Sequence, residues 1–186
     1  MSTSILSSHT KIRDLAYIAL MAALMAVCGW ITIPFGPVPF TLQTFGVFAA
    51  LGLLGGRRGT IAVAVYLLLG LVGLPVFAGF SAGVGALLGA TGGYLMGFLA
   101  SALLYWAITA KLGNAPLVMV LAMVLGLIVC YAFGTVWFIQ VYTNGGQAAT
   151  LLGTLGMCVF PYIIPDLVKI ALAMLVSKRV GKAISL

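Results

Sequence analysis

Asp166 and Lys169 are the residues of this chain best placed to do chemistry. Asp166 is one of only two acids in 186 residues, and Lys169 follows at i+3, on the same helical face. Both sit in Phe160-Pro161-Tyr162-Ile163-Ile164-Pro165-Asp166-Leu167-Val168-Lys169. The chain then runs apolar from Ile170 to Val176, up to the bases Lys178, Arg179 and Lys182. If those bases mark a membrane surface, Asp166 lies roughly 18–24 Å from them at the helical rise. In a hydrocarbon core about 30 Å thick, that places the pair some 6–12 Å beneath the opposite face. Ionisable groups at such depth are costly and read as a functional site by default. A carboxylate that accepts hydrogen bonds beside an ammonium that donates them suits a small ligand carrying both kinds of polar group. A structural alternative competes with this. Pro165 suits the first turn of a helix, where Asp166 would only face the positive end of the dipole and be neutralised by Lys169.

The elements that must carry the pair follow from composition. Hydrophobic residues make up 63% of the chain and charged ones 6%, against about 25% charged in soluble domains. That predicts an all-α integral membrane protein, residues 1–186 forming a single domain with room for about five to seven spans. The net charge of +7 comes from bases that punctuate the ends of apolar runs, a membrane pattern that argues against a nucleic-acid partner. Cys28, Cys130 and Cys158 are odd in number and far apart, which excludes a disulfide framework and a metal site and leaves them as small buried hydrophobes. Residues 1–10, with the lone His9, read as a flexible cytoplasmic tail. The first helix is too long for a signal peptide and reads as a retained span. The glycine-rich stretch 78–93 lacks the Gly-Lys-Ser/Thr ending of a phosphate loop, so neither a nucleotide nor another cofactor is expected.

Six spans are predicted, at about 15–33, 41–55, 60–73, 92–110 and 117–141, with the sixth holding Asp166 and Lys169. Residues 148–160 are apolar but short, and read as a re-entrant or surface helix. Lys11/Arg13, Arg57/Arg58, Lys111 and Lys178/Arg179/Lys182 then fall on one side, so both termini are placed in the cytoplasm. The three other connections, 34–40, 74–91 and 142–160, carry no charge. These long outer loops, rich in Pro and Gly, lie over the depth of the Asp–Lys pair, which describes a lidded ligand pocket open to the outside. Thr41, Gln43, Thr91 and Tyr94 add polar groups near it. On the first span, Ala16, Ala19, Ala23 and Ala26 repeat small residues, and Ala19/Ala23 and Ala22/Ala26 are small-xxx-small pairs. Such a face serves either internal packing or a docking partner.

Four blocks resemble the BioY family, the biotin-specific S components of energy-coupling factor (ECF) transporters. They are Ile33-Pro-Phe-Gly-Pro-Val-Pro-Phe-Thr-Leu-Gln-Thr-Phe45, Gly73-Leu-Pro-Val-Phe-Ala-Gly79, Gly89-Ala-Thr-Gly-Gly-Tyr-Leu-Met-Gly-Phe98 and Pro165-Asp-Leu-Val-Lys169. The resemblance implies six helices, capture of biotin from outside, and work with a transmembrane T component and two ATPases in the cell membrane. It places the family's ligand motif on Asp166 and Lys169 and its T-component docking motif on Ala19 and Ala23, extended by Ala22 and Ala26. The loop Gly79-Phe80-Ser81 stands where the family often has Gly-Gly or Asn, and Ala90 where Pro is frequent. Biotin's chemistry suits the residues. Its ureido N–H groups and carbonyl match Asp166 and Lys169, with Lys169 equally able to meet the carboxylate tail. Phe35, Phe40, Phe77, Tyr94 and Tyr162 can pack its rings. The candidate substrate-binding set is Asp166, Lys169, Thr41, Gln43, Phe77, Gly79, Ser81, Thr91, Tyr94 and Tyr162. Two alternatives stand beside this reading. One is an S component for a different vitamin. The other is an intramembrane enzyme using Asp166 and Lys169, for which one acid–base pair without a nucleophile is thin. A channel would need polar residues repeated along several spans.

Overall fold

The computed structural model describes residues 2–146 and 149–181, with side chains from Lys11 onward. The expected tail over 1–10 and the base Lys182 fall outside the residues whose side chains are described. In chain order, α1 (Ser2–Trp30) is followed by strands β1 (Thr32–Ile33) and β2 (Phe40–Thr41), α2 (Gln43–Leu71), a 3₁₀ turn (Ala78–Phe80), α3 (Gly83–Leu88), α4 (Gly92–Leu112), α5 (Pro116–Asn144), α6 (Leu151–Cys158) and α7 (Phe160–Val180). The architecture is helical but for β1 and β2, which pair antiparallel with Thr32 opposite Thr41 and Ile33 opposite Phe40. Prolines 34, 37 and 39 keep the connection between the strands out of a helix, and it turns at Gly36, whose φ is 68°. Within the expected short segment, Leu151–Cys158 form the eight-residue α6, too short to cross a bilayer.

Five helices are long and apolar enough to span a membrane: α1 from Lys11, α2, α4, α5 and α7. Their faces are sorted for lipid. On α7, Ile164, Leu167, Val168, Leu172 and Leu175 point outward, while Asp166, Lys169 and Ser177 are buried. On α5, Leu117, Leu121, Leu125, Ile128 and Val136 form an exposed apolar face. Water would penalise both arrangements and hydrocarbon favours them. The chain is a multi-pass membrane protein.

α2 lies at the centre, packed against α1, α4 and α7, with α5 against α4. It was expected as two spans and is a single helical segment broken at Gly55, whose φ of 75° and ψ of 175° leave the helix. The break is a reversal. A Cβ on Gly59 would stand 2.8 Å from Leu51 Cα, whereas eight residues of straight helix span roughly 12 Å. The Gln43 side-chain amide also reaches the Tyr66 hydroxyl, across what would be roughly 35 Å of unbroken helix. α2 is therefore two antiparallel arms, 43–54 and 56–71, joined where only glycine is unstrained.

The reversal brings the bases together. Arg58 pairs with Asp14 at 3.0 Å, Gly56 abuts Trp106 and Thr109 near Lys111, and Gly52 abuts Ser177 beside Lys178. The opposite end gathers β1, β2, the 3₁₀ turn, α3 and α6. There Trp30 Nε1 donates to the Pro75 carbonyl at 2.8 Å and Tyr162 donates to the Phe35 carbonyl at 3.0 Å.

α1 corrects part of the docking expectation. Ala22 is 2% and Ala26 6% exposed, packed in the core, whereas Ala16, Ala19 and Ala23 face outward. At about 100° of turn per residue, one alanine-rich helix necessarily shows alanines to both its neighbours and its surroundings. Ala22 and Ala26 belong to internal packing.

Candidate functional site

The site is built on α7. This helix starts at Phe160, with Pro161 in its first turn, and Pro165 lies inside it. Asp166 is therefore beyond the first turn, where the dipole and free N–H groups of a helix start no longer act. The capping alternative fails on that point. Pro165 removes one helical N–H, and α7 continues through it to Val180.

Asp166 and Lys169 are each 4% exposed. Lys169 Nζ donates to Asp166 Oδ1 at 2.7 Å and to the Thr41 carbonyl at 2.7 Å, and sits 4.0 Å from the centre of the Phe40 ring. Asp166 Oδ2 accepts from the Tyr131 hydroxyl at 2.6 Å. A buried ion pair repays its desolvation only when further hydrogen bonds satisfy both partners. Here α5 supplies one and β2 the other. The Pro-rich segment thus serves the site directly, through the Thr41 carbonyl and the Phe40 ring.

The pair forms part of the wall of a cavity between α2, α4, α5 and α7, lined mainly by apolar and aromatic side chains, the character of small-molecule sites. Of the residues expected here, Thr41, Gln43, Phe77, Ser81, Thr91, Tyr94 and Tyr162 line it together with Asp166 and Lys169. Gly79 does not. Its φ of 62° shapes the 3₁₀ turn, and its N–H donates to Thr32 Oγ1 at 3.3 Å, so it holds the loop whose neighbours Ala78 and Ser81 reach the cavity. Phe40 lies beneath Lys169 and stacks on Tyr162 with ring centres 6.2 Å apart. Phe35 is 59% exposed at the outer rim.

Several lining groups are already committed to holding the walls. Gln43 donates to Tyr66, which donates to the Val76 carbonyl at 3.1 Å, fastening the start of α2 to the loop that carries Phe77. The Tyr162 hydroxyl reaches the Val38 and Phe35 carbonyls, and Tyr94 donates to the Cys158 carbonyl at 3.4 Å. Tyr94 and Tyr162 line the cavity while their hydroxyls brace the loops. Thr91 precedes α4 without capping it, which leaves its hydroxyl to the cavity.

Tyr131 escaped sequence reasoning, as did the lining residues Leu95, Phe98, Leu127, Cys130 and Cys158. The apolar ones carry no mark that separates a cavity wall from a lipid-facing surface. Tyr131 did carry one. It is the only tyrosine in 117–141, and a phenol hydroxyl in hydrocarbon needs a partner. Asp166 was the one acid at that depth. Cys130 and Cys158 are free and buried, as is Cys28. Among the described residues no group of His, Cys, Asp and Glu could hold a metal. The arrangement suits a neutral or singly charged ligand with a polar head and an apolar body.

Known proteins resemble this chain in sequence and in fold. The family model of the BioY family matches residues 1–186. A biotin transporter BioY from Thermotoga maritima is 40% identical over 170 residues, covering 91% of this chain and 96% of that protein. A probable biotin transporter BioY from Pyrococcus horikoshii is 38% identical over 169 residues, covering 91% and 96%. The crystal structure at 2.1 Å of the S-component for biotin from an ECF-type ABC transporter matches with a TM-score of 0.82 at 33% identity, over 94% of this chain and 93% of that one. With a full-length family match, relatives of this identity and a shared fold, the chain belongs to the BioY family.

Proposed function

We propose that this chain is the biotin-capturing S component of an ECF-type uptake transporter of the cell membrane. One observation carries the reading: in a chain of the BioY family, a buried, hydrogen-bonded Asp166–Lys169 pair forms part of the wall of a cavity lined by aromatic and polar side chains. The two arms of α2 count as two spans, which with α1, α4, α5 and α7 makes six. The bases lie at the end holding both the start of α1 and the close of α7, so both termini are cytoplasmic and the cavity opens outward.

In this site Asp166 and Lys169 meet the polar groups of biotin, while Phe77, Tyr94 and Tyr162 pack its rings. Thr41, Gln43, Ser81 and Thr91 supply the remaining polar wall. The loop turned at Gly79 covers the mouth. A dry pocket built for polar groups discriminates by about 1–3 kcal/mol for each group that a wrong ligand leaves unpaired. Ala19 and Ala23 offer the outward face for a T component, and two ATPases supply the energy. Isothermal titration of the purified protein in detergent with biotin tests the assignment. Saturable tight binding is expected. A folded protein that ignores biotin but binds another vitamin would replace the ligand and keep the site.

Tyr131→Phe isolates one contact. The ring stays, but Asp166 Oδ2 loses its donor, and a hydrogen bond to a charged group is worth about 1.5–3 kcal/mol. Biotin binding is expected to weaken by roughly tenfold or more, with the protein still monodisperse. Unchanged affinity would remove Tyr131 from the positioning of Asp166.

A further inference from the structure

A second concave site lies at the base-bearing end, far from the biotin cavity. It is lined by Lys11, Asp14, Arg57 and Arg58, with apolar walls that include Leu15, Ile18 and Ile61. The reversal at Gly55 sets Arg57 and Arg58 directly after a turn of fixed backbone, facing the first turns of the α1 span. Lys11 and Arg57 are exposed. The chain has only two acids. Asp14 is paired with Arg58 at 3.0 Å and Asp166 with Lys169 at 2.7 Å, so no side-chain carboxylate remains for Lys11 or Arg57. The three bases outnumber the one acid in this groove. Leu15 is 67% and Ile61 41% exposed, so the apolar wall is open to the surrounding lipid.

We infer that this groove binds one anionic phospholipid. The phosphate meets Lys11, Arg57 and Arg58, and the acyl chains run along Leu15, Ile18 and Ile61. A soluble phosphate lacks the apolar part that these walls would cover. Basic pockets between spans recognise anionic headgroups by the same chemistry. The inference rests on the reading that this end lies at headgroup level.

Native mass spectrometry of the full chain in detergent, after delipidation, reads the outcome. Phosphatidylglycerol is expected to bind as one copy, phosphatidylcholine far more weakly, and glycerol 3-phosphate without competing. K11Q/R57Q, which alters two exposed side chains, should keep its thermal unfolding temperature and bind phosphatidylglycerol roughly 30-fold more weakly, at about 1 kcal/mol per base. Equal binding of phosphatidylglycerol and phosphatidylcholine, or of variant and wild type, would overturn the inference. So would unchanged lipid binding in a variant that no longer assembles with its energising partners, which would make the groove a protein interface. Lipid binding without biotin binding would instead sink the biotin assignment alone.

Discussion

Lys169→Met is expected to abolish biotin binding and to destabilise the protein by about 3–5 kcal/mol, the usual consequence of stranding a buried charge. Methionine matches most of the lysine stem, so packing is largely kept. What disappears is the ammonium shared among Asp166 Oδ1, the Thr41 carbonyl and the Phe40 ring. Asp166 would then hold a charge in hydrocarbon with the Tyr131 hydroxyl as its remaining donor. Asp166→Asn should also end tight binding but cost less stability, because its ammonium keeps the Thr41 carbonyl and Phe40. The double variant Asp166→Asn/Lys169→Met separates structure from function. With no charge left to bury, it should regain much of the lost stability, since uncharged replacements of buried pairs are often near neutral. It should still fail to bind biotin. Thermal unfolding in detergent and titration calorimetry on the same three proteins give both readouts. A double variant that bound biotin normally would show that the pair serves the fold alone.

The place of the pair on α7 was legible because hydropathy and charge are one-dimensional signals. Asp166 and Lys169 stood out against an apolar run, and the bases marked its end. Three features were not legible, each for a physical reason. The second and third spans were expected as separate segments, but no loop divides them. Gly55 alone turns the chain, and a glycine that reverses a helix looks in sequence like any of the other glycines here. Pro165 resembled a helix start, yet α7 tolerates it internally because Phe160 and Pro161 begin the helix earlier. In lipid, neighbouring segments can support such a break. Tyr131 belongs to the cavity through a contact across 35 residues, and only packing reveals which span faces α7. Gly79, by contrast, was recognised as important for the wrong reason. It shapes and ties the loop while its neighbours reach the cavity.

Two adjacent alanines on α1 are expected to give opposite phenotypes. Ala23 faces outward, so Ala23→Trp should leave folding and biotin binding intact while abolishing uptake in cells that contain the energising module. A bulky indole on a small-residue face prevents the close helix approach on which association in lipid depends. Ala22 is 2% exposed and packed in the core. Ala22→Trp should therefore overpack the interior, costing typically 1–3 kcal/mol for smaller insertions and more for an indole, and lose folded protein and binding together. Ala19→Trp should follow Ala23→Trp, since both alanines share the outward face, and Ala26→Trp should follow Ala22→Trp. Transport assays in cells, paired with biotin titration of each purified variant, separate the two classes. If Ala23→Trp lost binding as Ala22→Trp does, the outward face would be part of the fold. If it transported normally, the T component would dock elsewhere on the chain, and the exposed alanines would be no more than a lipid-facing surface.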